Sequence, residues 1–392
     1  MRLLFFKHSL VWPRSSGHDV NTYYMMQACA LLGHDVSLAT ASQPSARAIE
    51  DLPLCTQVAL DAEPHLNGET VPATWLQRRF RGFYGIPPAR ITALAHAVAA
   101  ARAEAVIVVG LDALPYLTGL TGVLRVWYAA DEWVWHHLSL LREVGALRAN
   151  VRDAVIKGVY ERAHAGLVDR AWVVSEGEAR AMQWFAGMPA VDVLPSGVDI
   201  DFYRPGGEHA APRTAVFWGR LDFAPNVQAL QWFCKRVWPR VRQRAGDARL
   251  TIIGFHPGDA VRRLEATPGV TVMADLADLR STVRQHAVVV LPFVSGGGIK
   301  NKLLEAAALG RPILCTPVAA GGLRHAKTAP MVQARSAEAF GDALLALWNN
   351  PDHCAILGQS AREWVTTHHT WAATAKEATD ALQDALAQRA GA

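Results

Sequence analysis

The sequence predicts an α/β protein with two doubly wound parallel sheets in tandem and helices at its C-terminus. Three observations carry that prediction. Short continuous apolar runs, rich in β-branched or aromatic residues, alternate with helical stretches, the pattern of strands buried on both faces of a parallel sheet. The alternation stops in a stretch rich in Pro, Gly and Asp, residues 194–213, and then restarts. The chain has 392 residues, and at roughly 100–200 residues per domain that length accommodates two domains.

The first half opens with an apolar run at residues 3–6, a Gly-containing polar loop, and a helix expected over residues 21–32 with Gly33 as its stop. Strands are expected at residues 36–39, 105–109, 124–128 and 171–174. In the second half they are expected at residues 215–218, 250–253, 270–273, 288–291 and 313–315. Helices are expected between them over residues 226–244, 276–286 and 302–309. From about Ser336 onward the chain reads as helical, ending in an Ala-rich helix over residues 371–389 without internal Gly or Pro. The expected domains are residues 1–194, residues 195–370, and a terminal helix, 371–392, that packs back on the first domain.

Composition excludes several classes. Half of the residues are apolar and 19% are charged, as in a folded protein with large cores. The formal charge of +4 is small for this length, and no nucleic-acid-binding motif accompanies it. Arginines cluster at Arg78, Arg79 and Arg81 and at Arg236, Arg240, Arg242 and Arg244. These read as solvated helix faces. The alternative is a basic surface that attracts a phosphorylated ligand or an anionic membrane. The five cysteines are far apart and lack metal-ligand spacing, so buried thiols in a reducing cytoplasm are expected. No signal peptide and no apolar window of membrane-spanning length is visible. The expected location is the cytoplasm, with peripheral contact at the inner face of the membrane left open.

The segment richest in chemistry is Ser295–Glu305. Gly296, Gly297 and Gly298 stand between an expected strand and an expected helix, where their N–H groups can face phosphate oxygens. The helix adds the positive end of its dipole. Lys300 and Lys302 add formal charge, and a diphosphate matches the set. Lys302 and Glu305 share a helix face, and the Glu305 carboxylate could accept hydrogen bonds from both hydroxyls of a ribose. On these residues alone, an ordinary glycine turn followed by a Lys–Glu helix pair weighs equally.

This segment resembles the donor-binding motif of retaining glycosyltransferases of the family-four type (glycosyl transferases group 1), in which a Gly-rich turn precedes a lysine, Leu-Glu-Ala and a glycine. Here those are Gly296–Gly298, Lys302, Leu304-Glu305-Ala306 and Gly310. Trp218-Gly219-Arg220-Leu221 resembles the turn that opens the family's second domain. Pro195-Ser196-Gly197-Val198-Asp199 resembles its interdomain signature, and Gly33-His34-Asp35-Val36 its step into the second strand. The wording around residues 222–226 and 298–302 is similar to a bacterial surface-polysaccharide subgroup. The resemblance implies a GT-B fold, two Rossmann-like domains facing across a cleft. It implies donor contacts at Gly17, Gly219, Arg220, Gly296, Gly297, Gly298, Ile299, Lys300, Asn301, Lys302, Leu303 and Glu305.

The family pattern is broken at three places. Relatives often carry a further glutamate, separated by seven residues from the one matching Glu305, where this chain has Gly297. A lysine often follows the Gly-Arg-Leu turn, where this chain has Pro225. The first-strand glycine pair is here Ser15-Ser16-Gly17. Neutralising the diphosphate then falls to Arg220 and Lys302. On the acceptor side, Asp131 and Glu132 follow the strand at residues 124–128, at the end where such sheets keep functional groups. Asp131 could orient an acceptor hydroxyl or simply cap a helix. Trp127, Trp133 and Trp135 could stack on a sugar or belong to a core, and Ser175 reads as a helix cap.

The expected activity is transfer of a sugar, with retention, from a UDP- or GDP-linked donor to a hydroxyl of a glycan, lipid-linked or small-molecule acceptor. Arg220, Lys302 and Asp131 are the expected catalytic residues, and no metal is expected to be required. The alternatives are a nucleotide-sugar epimerase on the same scaffold and a non-catalytic subunit. A nicotinamide-dependent dehydrogenase is disfavoured, because neither half carries Gly-x-Gly-x-x-Gly after its first strand.

Overall fold

The computed structural model describes residues 1–10, 17–44, 46–58, 60, 86, 88–129, 134, 137–138, 147–296 and 298–391. The chain forms two compact units, Met1–Pro195 with Trp371–Ala392, and Ser196–Thr370. The fold is α/β of the GT-B class: each unit is a parallel sheet covered by helices.

In the first unit the strands are β1 (Arg2–Lys7), β2 (Asp35–Thr40), β3 (Cys55–Val58), β4 (Ala105–Val109), β5 (Leu124–Tyr128), β6 (Arg170–Val173) and β7 (Val191–Val193). They lie in the order β3-β2-β1-β4-β5-β6-β7, and neighbouring strands pair in parallel. The helices used below are α1 (Gly17–Leu31), α2 (Pro88–Ala100), α3 (Leu147–His164) and α4 (Glu176–Ala181). Strand alternation sends Leu3, Phe5, Ile107 and Val126 into one core and Leu4, Phe6, Val106 and Val108 into another. Burial on both faces is the reason these runs are continuously apolar. Helix α2 covers the second core with Leu94, Ala97 and Val98, while Met25, Met26 and Cys29 of α1 cover the first. The C-terminal helix Trp371–Gly391 lies against α1, with Tyr24 stacked on Trp371 at 5.6 Å.

In the second unit β8 (Ala211–Trp218), β9 (Arg249–Gly254), β10 (Val270–Ala274), β11 (His286–Leu291), β12 (Ile313–Cys315) and β13 (Val332–Gln333) form a sheet in the order β10-β9-β8-β11-β12-β13. The helices that matter for the site are α5 (Ala224–Trp232) and α6 (Asn301–Ala308). In both sheets the chain returns to a central strand after building one edge, which puts a topological switch beside β1 and β8.

Several expected elements differ. The helix expected over residues 276–286 is only Arg280–Arg284. Asp278 accepts from the Arg280 backbone N–H at 2.9 Å, so the helix starts late. His286 joins β11, where its ring reaches Thr251 Oγ1 at 2.7 Å. The helix expected over residues 226–244 is broken by a π turn at Phe233–Val237. Helix α1 begins at Gly17, earlier than expected. The edge strands β3, β7 and β13 were not foreseen, since they are short and not fully buried.

Cys29, Cys234 and Cys315 are buried free thiols, pushed up to about 12 chiefly by burial, and are therefore unreactive. Arg240 and Arg244 pair with Glu338 and Asp342, and Arg242 donates to the Ala248 carbonyl, so that cluster is a paired surface face. Arg78, Arg79 and Arg81 lie outside the described residues. Among the described residues no helix is long and apolar enough to cross a membrane.

Candidate functional site

The site is assembled within the second unit, at the C-terminal ends of β8, β9 and β11. Strand β8 ends in Trp218 and turns sharply at Gly219, whose φ is +143°. A Cβ added to Gly219 would stand 2.3 Å from Lys302 Cε and 2.7 Å from its Nζ. The space above Gly219 is thus where the Lys302 side chain crosses. The turn is held from below: Asn226, buried in the first turn of α5, donates to the Arg220 carbonyl at 2.7 Å. The Gly219 N–H donates to the Ile253 carbonyl at 2.9 Å.

Strand β11 leads into the glycine turn. Gly296 and Gly298 have φ of +95° and +69°, so glycine is required there for its conformation. Pro225, which stands where relatives often carry lysine, packs beside the turn: its Cβ would lie 3.5 Å from a Cβ at Gly296. Ser295 donates its hydroxyl to Gln228 of α5 at 2.5 Å. Gly322 backs the turn from the far side, 3.3 Å from the Gly298 carbonyl carbon by the same measure. Helix α6 then starts with no side chain capping it at Lys300. The Leu303 N–H donates to the Lys300 carbonyl at 2.8 Å, which leaves the N–H groups of Asn301 and Lys302 and the positive end of the dipole at the turn.

Two charged residues of α6 dominate. Lys302 is half-buried as a residue, and its ammonium has the rings of Phe217 and Phe293 centred 5.9 and 5.8 Å away. Burial pulls its pKa below the ordinary lysine value, while the charge of Glu305 acts in the opposite direction. No hydrogen bond reaches this ammonium among the described residues. Glu305 accepts from the Trp218 indole N–H at 2.6 Å. Burial pushes its carboxyl upward, and the Trp218 bond, the Lys302 charge and the Tyr203 hydroxyl each pull it back. The site thus sets a cation short of partners beside a carboxylate held by an indole, an arrangement able to take a phosphate and a pair of hydroxyls.

The other expected residues fall as follows. Arg220 is half-exposed, and its guanidinium forms a bidentate pair with Asp222 at 3.1 and 2.8 Å. The Lys300 amine is turned back on the glycine turn, donating to the carbonyls of Gly296 at 3.1 Å and Gly298 at 3.5 Å. That arrangement stabilises the turn, and Lys302, crossing Gly219, is the cation of the pair with no hydrogen bond among the described residues. Asn301 begins α6, Ile299 packs against the core, and the Leu303 side chain is wholly in the core. Gly297 and Asp131, with Glu132, Trp133 and Trp135, lie outside the described residues.

In the first unit, Gly17 is the exposed first residue of α1. Nearby, Lys7 at the end of β1 pairs with Asp19 at 2.7 Å. Trp127 is fully buried and donates to the Gly110 carbonyl at 3.0 Å, which makes it a core residue. Ser175 caps α4, accepting from the Glu178 N–H at 3.3 Å.

Sequence reasoning missed Trp218, Tyr203 and Asn226 as members of the site. Trp218 was visible only as part of the motif before Gly219, and nothing in local spacing ties it to Glu305, 87 residues away. Replacing Trp218, which is 2% exposed, with phenylalanine removes the indole N–H and part of a buried ring. Losing a hydrogen bond to a charged group costs about 1.5–3 kcal/mol, so the melting temperature should fall by several degrees, and with Glu305 no longer fixed UDP or GDP affinity should fall roughly tenfold by calorimetry. Unchanged affinity would remove Trp218 from the site.

Residues 212–350 match the family described as Glycosyl transferases group 1, and that stretch contains Gly219, Arg220, Lys302 and Glu305. The chain is 28% identical over 254 residues to a GDP-mannose-dependent alpha-(1-6)-phosphatidylinositol monomannoside mannosyltransferase of Mycobacterium tuberculosis, covering 58% of this chain and 65% of that protein. It therefore spans somewhat less than two thirds of that relative's length. It is 25% identical over 311 residues to a D-inositol 3-phosphate glycosyltransferase of Corynebacterium glutamicum, covering 69% of this chain and 71% of that protein. Among solved structures, sucrose-phosphate synthase of Thermosynechococcus elongatus superposes with a TM-score of 0.72 at 16% identity, over 99% of this chain and 100% of that one. HepE of Anabaena in complex with UDP and glucose superposes with a TM-score of 0.65 at 12% identity, over 98% and 99%. At these identities the two structures speak to the fold alone.

Proposed function

We propose that this chain is a glycosyltransferase that moves a hexose from a nucleotide-sugar donor to an acceptor hydroxyl, with retention at the anomeric carbon. The observation that carries the reading is the pairing on α6: a Lys302 ammonium lying across Gly219 and a Glu305 carboxylate held by Trp218. The diphosphate of the donor occupies the space over the glycine turn, where Lys302, the uncapped start of α6 and the turn's N–H groups meet it. Glu305 accepts from the ribose hydroxyls. As the bond between the anomeric carbon and the phosphate oxygen breaks, negative charge grows on that oxygen, and Lys302 is aimed at it. Arg220, released from or shared with Asp222, adds a second positive charge. The acceptor's hydroxyl oxygen forms the new bond to the anomeric carbon while its proton passes to the departing phosphate oxygen, with Asp131 as its orienting group and Gly17 as a close backbone approach to the donor.

The family match over residues 212–350 and the names of the relatives support this reading. One relative is named for a GDP-linked donor and a lipid acceptor, and one similar structure holds UDP. Both nucleotides therefore belong in the test, and so do lipid-linked, glycan and small-molecule acceptors of bacterial surface glycoconjugates. The reading includes no metal requirement, so chelation with EDTA is expected to leave activity intact.

The experiment is calorimetric titration of the full chain with UDP, GDP, UDP-glucose and GDP-mannose, followed by donor-hydrolysis assays without acceptor. Binding of at least one, with slow hydrolysis to the nucleoside diphosphate and free sugar, is expected. Conversion of one nucleotide sugar into another would point to an epimerase. Absence of binding to the whole panel would overturn the assignment.

A further inference from the structure

The first unit presents an outward surface that the donor reading does not use. Helix α3 runs for 18 residues, a length of about 27 Å. At about 100° per residue, Arg148, Val151, Arg152, Val155 and Arg162 fall within a stripe roughly 100° wide. Val151 and Val155 on that stripe are 43% and 57% exposed, and the three arginines are exposed as well. The opposite side buries Asn150, Ala154, Tyr160 and His164, so the stripe faces solvent. The stripe itself carries no acidic residue. Asp153 lies on its flank and pairs with Arg152 at 2.9 Å.

A second element extends the stripe at its C-terminal end. The π turn Met182–Ala186 following α4 places Trp184 at 83% exposure and Phe185 at 43%. Adjacency is fixed by a hydrogen bond from the Arg162 guanidinium to the Phe185 carbonyl at 3.5 Å. Gly187, in the left-handed conformation with φ of +70°, ends the turn. Two adjacent exposed aromatic side chains, continuous with a stripe of alternating arginine and valine, make an apolar patch with a basic border. Such patches on soluble proteins mark interaction surfaces.

We infer that this face, α3 with the Trp184–Phe185 turn, docks peripherally on an anionic lipid surface. The chemistry selects that partner. Arginine guanidinium groups match lipid phosphates, and the valines between them are small enough to let the helix lie flat. Tryptophan and phenylalanine side chains favour the boundary between headgroups and acyl chains. Each basic residue near an anionic leaflet contributes roughly fivefold in partitioning.

The test is sedimentation of the full chain with vesicles of phosphatidylcholine alone and of phosphatidylcholine with 30% phosphatidylglycerol. Binding to the anionic vesicles that weakens at high salt is expected, with little binding to the neutral ones. The double variant Arg148→Glu/Arg152→Glu should bind anionic vesicles at least about 25-fold more weakly, and Trp184→Ala roughly tenfold more weakly. Affinity for UDP and GDP should be unchanged in both variants, since none of Arg148, Arg152 and Trp184 is among the donor contacts proposed above. That control separates this proposal from the glycosyltransferase reading. No binding to anionic vesicles, equal binding to neutral ones, or variants that bind like the original chain would overturn it.

Discussion

Replacing Lys302 with alanine is expected to lower kcat for sugar transfer or donor hydrolysis by about 10²–10³-fold, the loss typical of removing one preorganised charge-stabilising group. The fold should tolerate the change. Burial already disfavours the charged form of Lys302, so its removal relieves desolvation, and the melting temperature should hold within a few degrees. The pH dependence follows from the same geometry. The pKa of Lys302 is held low in the free protein, and a bound diphosphate stabilises the ammonium and raises it. Binding at alkaline pH must therefore take up a proton, and affinity must weaken as pH rises through the lowered free-state pKa. Glu305 behaves in mirror image. Burial raises its carboxyl, the ribose needs the ionised form, and affinity weakens as pH falls through that raised value. Calorimetry of UDP or GDP binding across pH should show both limbs. Lys302→Ala should abolish the alkaline limb and Glu305→Gln the acid one. An alkaline limb that survives in Lys302→Ala would show that another group neutralises the diphosphate.

The sequence exposed the parts of the fold that local chemistry controls. Residues 105–109 and 124–128 were legible as strands because, Arg125 apart, their side chains are buried among apolar neighbours, and the strands fall at Ala105–Val109 and Leu124–Tyr128. Cys55–Val58 was not legible, since an edge strand packs on one side only and its Thr56 and Gln57 are exposed. Within the site, the glycine turn and the Lys302–Glu305 spacing are local features and were visible. Contacts between distant segments were not. The Trp218 bond to Glu305 and the Asn226 bond to the Arg220 carbonyl arise because β8, α5 and α6 meet at one end of the sheet. Lys300 illustrates a further limit. Two lysines near a glycine turn look equivalent in a sequence, yet one amine closes on the turn's carbonyls while the other crosses Gly219.

The second large effect is expected at a glycine that carries no chemistry. Gly254 ends β9, and a Cβ placed there would stand 1.7 Å from the Gly219 carbonyl oxygen and 2.9 Å from Leu221 Cγ. The first of these neighbours is backbone, and it cannot rotate away as a side chain could. The backbone is also tied on both sides, because the Gly219 N–H donates to Ile253 at 2.9 Å and the Asp275 N–H to Gly254 at 3.0 Å. Gly254→Ala must therefore push the Gly219 turn off β9. Overpacking of this kind costs about 3 kcal/mol, equivalent to roughly 6–12 °C in melting temperature for a unit of this size. The damage should not be confined to stability. The Gly219 turn is the floor under Lys302, so the folded fraction should bind UDP or GDP more weakly than the original chain. Gly246→Ala is the matched control: that glycine is exposed and a Cβ there meets nothing within 4 Å, so its effect should stay within about 0.5 kcal/mol. If Gly254→Ala melts with the original chain and binds nucleotide equally well, then the close approach of β9 to the Gly219 turn does not shape this site.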